Sequence, residues 1–142
     1  MRLYAGGRDG LVVRKGRGMK ADGRRIEALV PVPLHKTRLR KRGYNQSEEY
    51  AKALSTLTGV PVEADLVKRI KNTRPMKELD MEGRRNNLKN AFIMGKNDVS
   101  LNSVAIVDDI YTTGSTVDAV AALLRRHGVR FVYVITIAVG MQ

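Results

Sequence analysis

The chain contains no cysteine and no tryptophan. The first absence excludes disulfides and thiolate metal sites and fits a reducing compartment. Aromatic residues are scarce, with two Phe and five Tyr in 142 residues, which leaves little material for a platform that stacks unpaired bases. Long apolar runs are missing as well. Each is broken by charge, so none reads as a membrane span, and the N-terminus has no apolar core of the secretory kind. The expected location is the cytoplasm. The length suits one domain that buries roughly 70% of the surface its unfolded form exposes.

Acids are in short supply in one region only. The formal net charge is +12, but residues 1 to 42 hold 13 Lys and Arg against Asp9, Asp22 and Glu27, whereas the remainder is nearly balanced. Such an excess attracts polyanions, whether nucleic acid or a polyphosphate ligand. Residues 1 to 25 include "GGRDGLVVRKGRGMKADGRR", rich in Gly and charge, and read as a weakly structured basic leader.

From residue 26 to 142 the pattern is globular. "IEALVPV", residues 26 to 32, suits a buried strand that enters a loop at Pro33, and a basic cluster, "HKTRLRKRG", follows. Asn45 is placed to cap a helix that carries Tyr50, Leu54 and Leu57 on one face and stops at Gly59, with Glu48 in capping-box position. "ADLVKRIK" and "AFIM" suggest short strands on either side of a charged excursion from Asn72 to Asn90. "SVAIV", residues 103 to 107, is an apolar strand. Val117, Val120, Ala121 and Leu124 mark a helix ending near Gly128, with His127 favoured there by the helix dipole, and "FVYVITIAV" is a further buried strand. Alternating strands and helices predict an α/β fold with a mainly parallel central sheet flanked by helices on both faces.

The sharpest feature is "VAIVDDIYTTGST", residues 104 to 116. In a parallel sheet, ligands bind beyond the carboxyl ends of the strands, and Asp108 and Asp109 sit at such an end. Neighbouring strand residues point to opposite faces, so both acids can serve one ligand only where the strand stops. Ionised carboxylates accept hydrogen bonds and match a vicinal diol, while Thr112, Thr113, Gly114, Ser115 and Thr116 are small enough to turn backbone N–H groups over an anion at the start of a helix. A sugar phosphate satisfies both parts. A divalent cation held by the acid pair is the alternative, and the absence of "GxxxxGK[ST]" argues against a P-loop.

This stretch resembles the 5-phosphoribosyl 1-pyrophosphate (PRPP) signature of the type I phosphoribosyltransferases. "VPVPLHKTRLRKRGYNQ", residues 30 to 46, and "RRNNLKNAF", residues 84 to 92, resemble corresponding stretches of the competence protein F (ComF) family within that superfamily. The resemblance implies a type I phosphoribosyltransferase fold over residues 26 to 142, with the leader as remnant of a hood. It implies a ribose held by Asp108 and Asp109 and a 5'-phosphate held by Thr112 to Thr116. A pyrophosphate loop would comprise Pro33, Leu34, His35, Arg38 and Arg42, and a flexible loop would carry Lys71, Arg74, Lys77 and Arg84. Mg²⁺ is the implied cofactor, bound through substrate and water rather than directly by protein. The implied reaction is displacement of pyrophosphate by a nitrogen nucleophile, a base or an amine.

Partners expected on this reading are PRPP, that nucleophile, single-stranded DNA or the competence machinery, and a second copy of the chain. A non-catalytic PRPP sensor whose basic face binds single-stranded DNA is the competing function. The sequence departs from the family pattern in lacking a Cys-rich zinc ribbon, in Met76 where Gln is common and in Gly83 where Glu is common.

Overall fold

A computed structural model describes residues 11–70, 90–95, 100–111 and 114–139. Its centre is a parallel sheet of β4 (Ala28–Pro31), β7 (Ser103–Tyr111) and β8 (Phe131–Val139), in the order β4-β7-β8. The rungs run from Ala28↔Val104 to Pro31↔Val107 on one side of β7 and from Ser103↔Phe131 to Tyr111↔Val139 on the other. Uninterrupted apolar strands are what a sheet covered on both faces requires.

Alternation along the strands divides the core in two. Ala28, Val30, Val104 and Ile106 face α3 (Ser115–Arg126), which contributes Val117, Val120, Leu123 and Leu124. Leu29, Ala105, Val107, Tyr133 and Ile135 face α2 (Gln46–Thr58), which contributes Ala51 and Leu54. Each of the fully buried Leu and Ile side chains contributes about 2 kcal/mol by leaving water. This is the expected α/β arrangement, with its helices on opposite faces.

The helix boundaries follow local chemistry. Asn45 caps α2, its side chain accepting from the Ser47 N–H at 3.1 Å, and Gly59, at φ 80°, ends it. Glu48 pairs with Lys52 one turn on, at 3.4 Å. His127 is the C-cap of α3, and its Nδ1 donates to the Leu123 carbonyl at 2.9 Å, as the dipole argument anticipates. β5 (Val67–Arg69) and β6 (Phe92–Met94) form an antiparallel pair over the α3 face, where Leu66, Val67 and Phe92 join the core.

Two regions differ from expectation. Residues 11 to 25 fold as an antiparallel sheet of β1 (Leu11–Arg14), β2 (Gly18–Ala21) and β3 (Arg24–Arg25), rather than a weakly structured leader. Met19 and Ala21 are buried in the α2-side core, Gly16 donates to the Leu57 carbonyl, and Arg24 lies 4.0 Å over the Phe131 ring. The turn between β2 and β3 is Asp22-Gly23, both at positive φ, as a two-residue hairpin loop demands. The second difference is the basic cluster, which forms a helix of its own, α1 (Lys36–Arg42). His35 caps it by accepting the Thr37 N–H on Nδ1 at 3.2 Å, and Arg40, Lys41 and Arg42 occupy the last turn, where cations favour the dipole. Gly43 at φ 86° stops it.

Candidate functional site

The acid pair lies within β7, not beyond it. The strand continues to Tyr111, so the expectation that it stops at residue 107 is corrected: what ends there is its partner. The last link between β4 and β7 is the Val32 N–H donating to the Val107 carbonyl at 2.9 Å, while β8 keeps pairing through Asp108↔Thr136 and Ile110↔Ala138. Among the described residues nothing pairs with that edge of β7 beside Asp108 and Asp109, which leaves a notch there. Both carboxylates can reach that notch although their residues are strand neighbours.

Asp108 uses it. Its Oδ1 accepts the N–H of Asp109 at 2.9 Å, and its carboxylate also accepts from the Ser47 hydroxyl, in the first turn of α2. Asn45 holds that turn in place by donating from Nδ2 to the Val32 carbonyl at 3.0 Å, which ties the start of α2 to the end of β4. Burial raises the Asp108 pKa most, and the hydrogen bond and charge of the Asp109 carboxylate raise it further; the Asp109 N–H and Ser47 oppose them. The net result is pushed up to about 7. Asp108 therefore exchanges its proton near neutrality and can donate to Asp109 when protonated.

Thr136, the cross-strand neighbour of Asp108, is 2% exposed, and its hydroxyl finds no hydrogen-bond partner in the structure. A buried hydroxyl left so costs about 1–3 kcal/mol, which an incoming polar group or water can recover.

On the far side of the notch, α3 starts at Ser115 directly after Gly114, which is buried and left-handed at φ 79°. Gly114 supplies no side-chain cap to the first N–H groups of α3. Ser115 and Thr116 are half-buried at this terminus. Thr112 and Thr113 lie outside the described residues, as do Lys71, Arg74, Lys77 and Arg84.

The turn after β4, Pro33 to His35, is half-buried next to the same notch, and Arg38 is half-buried on α1. Arg42 lies one turn further along the same side of that helix and is exposed. Nδ1 of His35 is occupied in capping, accepting the Thr37 N–H, which leaves Nε2 as the ring nitrogen that can donate. Two residues join the site without having been singled out from sequence. Ser47 was legible in principle, two positions past a capping Asn; Arg69, in a short alternating strand, had no local signal. Among the described residues no group of three His, Asp or Glu side chains gathers to ligate a metal. Nor does any described helix have the length and apolarity to cross a membrane.

Comparison with known proteins agrees with this geometry. The phosphoribosyl transferase domain family matches residues 39–142. Competence protein F of Haemophilus influenzae is 43% identical over 110 residues, covering 76% of this chain and 48% of that protein. DNA utilization protein YhgH of Salmonella typhimurium is 36% identical over 124 residues, covering 87% and 52%, and its namesake in Escherichia coli K12 is 38% identical over 108 residues, covering 76% and 47%. The chain spans about half the length of these curated relatives. With the matched region containing β7, β8, the acid pair and the start of α3, the chain belongs to the phosphoribosyl transferase domain family, in the branch of competence protein F.

Proposed function

We propose that the notch at the end of β4 binds PRPP and that the protein transfers its phosphoribosyl group to a nitrogen nucleophile. The observation that carries this reading is the pair Asp108 and Asp109 beside that notch, next to a helix start at Gly114 that has no side-chain cap. In their ionised forms the two carboxylates accept the ribose 2'- and 3'-hydroxyls. The N–H groups around Gly114 to Thr116, with Thr112 and Thr113, receive the 5'-phosphate at the positive end of α3. Pro33, Leu34 and His35 border the place left for the pyrophosphate, with Arg38 behind them.

The reaction breaks the bond between ribose C1 and the pyrophosphate oxygen, which departs with the electron pair. The nucleophile's nitrogen lone pair forms the new bond to C1, and its proton passes to a base or to water. Negative charge gathers on the leaving group, so positioning and a cationic wall supply the acceleration. Mg²⁺ would arrive with the substrate's phosphates and be held through substrate and water, since that ion dehydrates reluctantly and keeps several waters. When bound it would neutralise the diphosphate.

Calorimetry with PRPP and Mg²⁺ tests the site. The Asp108→Asn, Asp109→Asn double variant is expected to lose about 100-fold in affinity while keeping its fold, since it removes two charge-assisted contacts. Equal affinity in both proteins would sink the assignment. Pyrophosphate release on a panel of bases and amines then tests turnover.

A second reading is favoured by the hairpin sheet at the N-terminus, where Arg14, Lys15, Arg17, Lys20, Arg24 and Arg25 are all exposed. PRPP binding without turnover, combined with single-stranded DNA binding that weakens steeply with salt, would mark a sensor rather than a transferase. The printed names of the relatives, competence and DNA utilization, are compatible with either reading.

A further inference from the structure

Two side-chain hydroxyls of the central sheet, Ser103 and Thr136, are buried with no hydrogen-bond partner among the described residues. They stand at opposite ends of it. Ser103 begins β7, away from the acids, whereas Thr136 is in register with Asp108 across the parallel pair of β7 and β8. Residues in register on parallel neighbours present their side chains on the same face, and the two strands lie about 4.8 Å apart. Alternation identifies the face. Val132 and Val134 on β8, with Val104 and Ile106 on β7, pack in the α3-side core, so Thr136 and Asp108 continue that layer past its apolar part.

A threonine is an unexpected choice there. It interrupts the apolar run "FVYVITIAV", where valine has nearly the same shape and no polar atom to bury. At 2% exposure the residue is too deep to touch a ligand itself. What lies beside it is Asp108, whose carboxylate already accepts from the Asp109 N–H and the Ser47 hydroxyl. An ionised carboxylate has about four acceptor positions, which leaves one for a ligand hydroxyl and one for a donor from the protein interior. At the spacing of neighbouring strands, one staggered step about the Thr136 χ1, or one bridging water, joins its hydroxyl to Asp108.

The charged groups around Asp108 are accounted for element by element. Asp109 is its neighbour on β7, and Arg69 on β5, itself acted on by Arg38 of α1, shares a mutual charge interaction with it. On α2, Glu48 and Glu49 pair with Lys52, and on α3 Asp118 is exposed. From β8 the group in register is Thr136, which is neutral and can donate.

We infer that Thr136 is a positioning residue of the site: its hydroxyl donates to Asp108 once that carboxyl is ionised, and so holds it in the form and orientation that accept a sugar hydroxyl. The identity of the sugar rests on the PRPP reading of the notch. The bond between Thr136 and Asp108 does not, and it gives the orphaned hydroxyl a partner in the ligand-ready state.

Two measurements on the full chain test this. Carbon-13 NMR of the Asp108 carboxyl follows its ionisation without any ligand, and calorimetry with PRPP and Mg²⁺ at pH 7 reads affinity. In Thr136→Val the carboxyl should titrate higher by about 0.5–1 in pH, because the ionised form loses a donor, and PRPP affinity should fall about tenfold. Thr136→Ser keeps the hydroxyl and should restore both. Ser103→Ala removes the other orphaned hydroxyl and should change neither. Should Thr136→Val fail to fold, Thr136→Ala also lacks the hydroxyl and is read in the same way. An unmoved titration in the variant without the hydroxyl overturns the inference, as does a Thr136→Ser variant that matches it, since the methyl would then be what matters. A titration that moves while PRPP affinity holds overturns the positioning role. Wild-type protein that fails to bind PRPP rejects the PRPP reading and the sugar-positioning role with it, and the titration still decides the bond to Asp108.

Discussion

The two ends of β7 meet carboxylates in opposite ways. At the start, Oε1 of Glu27 accepts the N–H groups of Asn102 and Ser103 at 3.1 and 3.0 Å, and the Glu27 N–H donates to the Ser103 carbonyl. That acid joins segments about 75 residues apart in sequence and is satisfied by backbone. At the other end, Asp108 is pressed against a second carboxylate and pushed up to about 7. One acid stabilises the fold; the other is held in a state that a ligand would relieve. Both follow from where the neighbouring strand begins and ends, since β4 starts beside Ser103 and stops beside Val107.

This contrast can be broken at either end. The largest effect is expected on ligand affinity from the double change at Asp108 and Asp109 described above, with no loss of folding stability. Glu27→Ala should do the reverse, lowering the unfolding free energy in denaturant by about 1–3 kcal/mol through two orphaned N–H groups while leaving the PRPP dissociation constant unchanged. A ligand affinity that fell with Glu27 would mean the two ends are not independent.

A smaller effect is expected from Gly114→Ala. The residue sits at φ 79°, so a side chain costs about 1–2 kcal/mol there, and the distorted turn should weaken ribose 5-phosphate more than pyrophosphate. Equal weakening of both probes would show that this turn does not hold the 5'-phosphate.

The finest test uses pH. Asp108 has its folded pKa, about 7, above the ordinary 3.8. Between these values the folded protein keeps a proton that the unfolded chain has released, so this group's stabilisation is complete below the lower value and is lost as pH rises through the upper one. Asp108→Asn should therefore raise the melting temperature at pH 8 by about 2–5 °C, and the gain should shrink toward pH 5. A gain that did not depend on pH would place the strain elsewhere than in the carboxyl.

The hairpin sheet shows how a legible signal is outweighed. "ADGR" contains the Asp-Gly pair of a two-residue hairpin, and Gly16 sits in the tight turn before it, yet the flanking strands are four residues or fewer and carry Arg and Lys. Composition pointed to solvated chain because the apolar contribution, Met19 and Ala21, is small until α2 and β8 cover it. The helix at residues 36 to 42 was hidden for a related reason. None of its residues is buried, so it has no apolar stripe to read, and its capping residue is a histidine.

What the sequence determined by itself was whatever depends on near neighbours: the apolar strands, the Asn45 and Gly59 boundaries of α2, the helix that follows Gly114, and an acid pair followed by a run of small residues. The tertiary structure alone decided that β4 stops one residue short of the acids, that Ser47 and Arg69 act on Asp108 from two other elements, and that Arg38 is half-buried while Arg42 is exposed. Those outcomes turn on contacts between segments tens of residues apart, where burial and charge are set by which surfaces meet in space, and no local spacing encodes that meeting.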